Sequence, residues 1–79
     1  MSPTILRQRG FRVFFFSREE LRPHVHILHA EGTAKFWLEP TIALAHNHGL
    51  SETRLRSAEW MIREHEREIR AAWQKYFGR

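Results

Sequence analysis

The hydrophobic rhythm of the chain changes near its middle. In the N-terminal half the apolar positions come in short β-prone runs, whereas beyond Leu50 they recur every three or four residues. Thr4-Ile5-Leu6 and Phe11-Arg12-Val13-Phe14-Phe15-Phe16 are separated by Gly10, which predicts a hairpin with a short turn. A polar break from Ser17 to Arg22 follows. Pro23 then opens a further strand at a position that needs no ladder donor.

The next hairpin yields a register by counting. With Glu31-Gly32 as a two-residue turn, Ala30 pairs with Thr33. Leu28 then faces Lys35, Ile27 faces Phe36, His26 faces Trp37, Val25 faces Leu38 and His24 faces Glu39. Val25, Ile27, Phe36 and Leu38 make an apolar face, while His24, His26, Lys35, Trp37 and Glu39 share the other. Pro40 ends this strand. Thr41 to His48 reads as a short helix or irregular turn, with Asn47-His48-Gly49 as its stop.

Ser51 then supplies an N-cap, Glu52 suits the positive end of a helix, and Leu50 can reach Leu55 as a hydrophobic staple. Leu55, Ala58, Ile62, His65, Ile69, Ala72, Trp73, Tyr76 and Phe77 follow at helical spacing, to a stop near Gly78. The expected fold is therefore α+β. It has a small antiparallel sheet of three to four strands packed on one long C-terminal amphipathic helix, with or without a short helix before it. His65 lies on the apolar stripe and reads as a hydrogen-bonded core residue, whereas Trp60 falls off it as an exposed aromatic for protein contact.

A length of 79 residues bounds this to a single domain, 1–79. The absence of cysteine excludes a disulfide framework and thiolate metal ligation, and fits a reducing cytoplasm. No apolar run approaches the roughly 18 residues of a membrane span, and no signal-type N-terminus is present, so a soluble cytoplasmic protein with no membrane partner is expected. Thirteen Lys and Arg against nine acidic residues give a formal charge of +4, compatible with RNA or an acidic protein as partner. In the C-terminal half, however, arginines alternate with glutamates, as on a solvated helix face.

The chemistry-bearing candidates cluster on the polar sheet face. His24 and His26, two residues apart, point the same way and can serve as acid, base or phosphate contact. The third alternating position, which a histidine-triad hydrolase would fill with histidine, is Leu28. A metal-binding reading would combine His24, His26 and Glu39 with His46 or His48, but without a recognised ligand spacing no metal or cofactor is assigned. In the acid–base reading, His24 and His26 are catalytic and Glu39 orients His24. Lys35 contacts phosphate, Trp37 stacks a base, and Arg12 joins Lys35, Trp37 and Glu39 as substrate-binding. Such a set would cleave RNA without a metal; its alternative is an ordinary cross-strand surface.

Several segments, in order, carry a family resemblance. Pro3-Thr4-Ile5-Leu6, the aromatic strand, Pro23-His24-Val25-His26, Ala34-Lys35-Phe36-Trp37-Leu38, Asn47-His48-Gly49 and Ala72-Trp73 with Phe77 resemble a small bacterial family, domain of unknown function 4160. The turn is Glu31-Gly32 where that pattern has Asp-Gly. The resemblance implies a component of a two-gene, toxin–antitoxin-like module with a cognate small protein encoded nearby. Three readings follow: a toxin-like protein acting on RNA through the His/Lys/Trp face, a non-enzymatic antitoxin-like module docking its partner through the helix or Trp60, and a His-based metal-binding domain. A homo-oligomer is compatible with each.

Overall fold

A computed structural model describes residues 4–16 and 22–78. Five strands form one antiparallel sheet in sequence order: β1 (Thr4–Gln8), β2 (Phe11–Phe14), β3 (His24–His29), β4 (Gly32–Trp37) and β5 (Ala43–His48). Two helices follow, α1 (Glu52–Glu64) and α2 (Glu66–Phe77). The α+β class is as expected, but the sheet has five strands rather than three to four, and two helices replace the single long one. Pro3 and the polar break at 17–21 lie outside the described residues.

The β1–β2 hairpin turns through Arg9 and Gly10, both with positive φ (55° and 82°), the conformation that a tight hairpin between twisted strands requires. The β3–β4 hairpin corrects the predicted register. Its turn is Ala30-Glu31, so His29 pairs with Gly32, Ile27 with Ala34, His26 with Lys35, Val25 with Phe36 and His24 with Trp37. Every partner moves by two positions, which preserves the alternation; Val25, Ile27, Phe36 and Leu38 remain together as buried residues. Gly32 has a different task from turning. A Cβ there would lie 2.1 Å from the His48 carbonyl oxygen and 3.0 Å from Gly49 Cα, so the glycine admits a close backbone approach between β4 and the end of β5.

Thr41 to His48 is mostly strand, not helix. The segment satisfies the outer edge of β4, with Thr33 paired to His48, Lys35 to His46 and Trp37 to Ala43 across an irregularity between Lys35 and Phe36. Asn47-His48-Gly49 forms the corner into α1. The Asn47 side chain accepts from Leu50 N–H and donates to the Leu50 carbonyl, both at 3.0 Å, and Gly49 takes φ +96°. Ser51 Oγ then accepts from Arg54 N–H, capping α1 as its position predicts.

The helical run is interrupted at His65, whose φ of −111° and ψ of 23° leave the helical region. Its ring nitrogens reach Gln8 Oε1 at 2.8 Å and Glu68 Oε1 at 3.2 Å, tying the joint to β1. Backbone hydrogen bonds continue on either side, from His65 N–H to Met61 and from Ile69 N–H to His65. The joint therefore interrupts the helix while the backbone hydrogen bonds run through it, and no side chain caps the start of α2. Ala58, Met61 and Ile62 of α1 and Ile69 and Trp73 of α2 enter one buried cluster with Phe11, Val13, Phe15, Val25, Ile27, Phe36 and Leu38. Phe15 meets Trp73 edge-on at 5.4 Å and Phe77 at 5.6 Å. Among the described residues no helix is long and apolar enough to cross a membrane.

Candidate functional site

The helices cover one face of the sheet, and the pairing sets what lies on the other. Phe14 of β2 pairs with His26 of β3, His26 with Lys35 of β4, and Lys35 with His46 of β5. Residues directly opposite one another share a face, so Phe14, His26, Lys35 and His46 form a row across four strands. One step along, Arg7, Arg12, Leu28, Thr33 and His48 form a second row across all five. Between the rows lies a recess of about 260 Å³ bordered by Phe14, Phe16, His26, Lys35, His46 and His48.

Rings and cations are interleaved on this face. The His26 ring lies 5.5 Å from Phe14, nearly parallel, and 4.4 Å from Phe16. Arg12 sits over Phe14 at 4.6 Å, while Arg22 and Lys35 lie over Trp37 at 4.0 and 4.5 Å. Each cation is drawn to the negative face of a ring, which orders both partners.

The predicted site residues divide. Lys35, Trp37 and Arg12 stand on the open face, and Trp60 is 61% exposed on α1, over a shallow hollow shared with Arg56, Glu59 and Arg63. His24 does not reach solvent. It is 1% exposed, donates from Nδ1 to the Arg22 carbonyl at 2.7 Å, and is enclosed by the rings of His26, Trp37 and Trp73. Glu39 is not opposite His24 either: its carboxylate accepts from Arg70 of α2 at 2.8 Å, and its carbonyl accepts from Arg22. The expected His24–Glu39 acid–base pair is absent because the register puts Trp37 in that place and Arg70 offers the carboxylate a charge-assisted bond. Among the described residues no three His or Glu side chains converge as a metal site would require, so the set of His24, His26 and Glu39 does not assemble.

Phe14 and Phe16 are not among the expected site residues, and His46 and His48 enter that expectation only as metal ligands. The alternation that singles out His24 and His26 also relates His46 to His48, and Phe14 shares parity with Arg12. The signal was present but was masked by reading 41–48 as helix or turn.

Ion pairs run through the helical layer. Every glutamate among the described residues has a cationic or imidazole neighbour: Glu31 with Arg54, Glu39 and Glu66 with Arg70, Glu52 with Arg56, Glu59 with Arg63, Glu64 with Arg9 and Glu68 with His65. These pairs lie on the helices and the turns that meet them. Glu31 shows the effect on ionisation: partial loss of water pushes its carboxyl upward, but hydrogen bonds from Arg54 and Ser51 N–H, with the charges of Arg54 and His29, hold it below the ordinary 4.5.

Residues 10–74 match the family model described as Domain of unknown function (DUF4160). No curated protein and no solved structure matches the chain.

Proposed function

The chain belongs to the DUF4160 family, and we propose that it acts as a non-enzymatic, antitoxin-like module that docks a cognate small protein encoded beside it. The observation that carries this reading is the state of the histidine pair. A general acid or base must reach the proton it transfers, and His24 is sealed among aromatic rings with its Nδ1–H engaged by a backbone carbonyl. The His26 ring lies nearly parallel to Phe14 and tilted by 59° against Phe16. His24 is packed as a structural ring, and the carboxylate that would orient it serves α2 instead.

Trp60 is the docking residue in this reading. An exposed tryptophan on a helix whose opposite side is in the core presents a large flat apolar surface, the residue type that dominates binding energy at protein interfaces. The flanking Arg56, Glu59 and Arg63 provide a polar rim. Expression of the chain alone should leave growth unimpaired, and co-expression should relieve the toxicity of its neighbour. Trp60→Ala should abolish relief while far-UV circular dichroism stays unchanged. Growth arrest by the chain alone, with RNA cleavage lost in His26→Ala, would establish the enzymatic reading instead.

A further inference from the structure

We propose that His46 and His48 form half of a zinc site, which a second copy of this chain completes with the same pair. The site sits on the outermost strand of the sheet and is independent of docking through Trp60 on α1. A strand sends alternate side chains to one face, so the two imidazoles leave β5 side by side. Their rings stand 6.3 Å apart, centre to centre, and 25° from parallel. Zinc takes an imidazole nitrogen at about 2.0–2.1 Å, which puts the centres of two rings on one ion roughly 5–6 Å apart. The pair closes to that separation by turning its rings, and the terminal torsion of histidine is soft.

The other histidines are engaged within the fold. His24 donates to the Arg22 carbonyl, His26 lies against Phe14, His29 Nδ1 accepts from Glu31 N–H at 3.0 Å, and His65 joins Gln8 to Glu68. His46 and His48 are exposed, and among the described residues their ring nitrogens have no hydrogen-bond or ionic partner. Lone pairs at β5 are thus open to a ligand. Lys35 faces His46 across the ladder, but its ammonium lies over the Trp37 ring, at the end of β4 away from His48.

Two ligands do not close a structural zinc site, which takes four in a tetrahedron. Among the described residues no third His or Glu joins this pair, and Asn47 between them is bonded twice to Leu50. A chelating pair spans one edge of the tetrahedron. An identical pair crossing it spans the opposite edge, so a two-fold axis through the ion completes the set with no ligand from elsewhere. The position of β5 permits that approach: among the described residues no strand lies beyond it, and Ala43–His48 contains neither a proline nor an acidic or basic chain of the kind that guards a sheet edge.

Size exclusion with light scattering, on the untagged chain stripped with EDTA and then given half an equivalent of zinc chloride, reads the mass, and isothermal titration reads the stoichiometry. The stripped chain should run as a monomer, and zinc should double its mass with one ion bound per two chains. Fresh EDTA should restore the monomer, a readout that needs no variant. His46→Ala with His48→Ala should lose both the heat of zinc binding and the dimer while circular dichroism stays unchanged, whereas Trp60→Ala should keep both. A dimer in EDTA, a chain that stays monomeric with zinc, one ion held per monomeric chain, or a zinc dimer that survives in the folded double variant would each overturn the assignment.

Discussion

At the scale of single residues, Trp73 shows how a core position can be well packed and imperfectly satisfied. Its ring is 3% exposed and contacts His24, Phe15 and Phe77, yet among the described residues its Nε1–H has no hydrogen-bond partner. Removing the ring and removing the donor are therefore separable. Trp73→Ala should cost about 3–5 kcal/mol, the usual range for losing a buried aromatic. Trp73→Phe should cost less than about half of that, because the smaller cavity is partly offset by loss of an unpaired donor; urea midpoints at constant slope measure both. Glu31 carries a pH signature. Its folded-state carboxyl titrates below 4.5, so its stabilisation is complete above that value and disappears as the pH falls through the lower, folded one. The melting temperature of Glu31→Gln should thus lie below that of the native chain at neutral pH and converge with it in acid, once the carboxyl is protonated in the folded chain as well. A constant difference across that range would remove Arg54 and Ser51 as the cause.

At the scale of elements, the corner joining β4, β5 and α1 depends on a glycine that looks like a turn residue. Gly32→Ala should destabilise the protein by about 1–3 kcal/mol or more, since the atoms it would strike are backbone and cannot rotate away. Ser51→Ala, at the α1 cap nearby, should cost about 1 kcal/mol. Equal losses in thermal or urea unfolding would mean that the close approach is easily relieved. The same corner explains what the sequence made legible. The β2, β3 and β4 runs are apolar and β-branched or aromatic, and their alternation survives a misplaced turn because the error moved each partner by an even count. The segment at 43–48, Ala-Leu-Ala-His-Asn-His, has no β-branched residue and is largely exposed, so neither propensity nor alternation announces it. It becomes a strand because the edge of β4 supplies hydrogen-bond partners. The break at His65 is likewise invisible in sequence, with no glycine or proline to mark it; its cause is a contact to Gln8, distant in the chain. Trp60 and the polar-face parity of Lys35 and Arg12 could be read from spacing, whereas the burial of His24 required knowing that α2 brings Trp73 over the strand end.

At the scale of the molecule, the sheet's apolar face and the two helices stabilise one another. Ending the chain after Glu64 would remove Ile69 and Trp73, each worth about 2–5 kcal/mol, from a protein whose total stability should be about 5–15 kcal/mol. That truncated chain should lose cooperative thermal unfolding and bind a hydrophobic dye. A sharp melt would show that the sheet and α1 suffice. The strand order adds a consequence in time. Because each strand pairs with its immediate neighbour in sequence, the sheet can assemble progressively during synthesis, with short loops to close at every step. Its cover follows the sheet in the chain, so during synthesis the β-layer emerges first, with its apolar side bare until the helices arrive. The arrival of the helices over that side thus separates productive folding from capture by chaperones or by another unfinished chain.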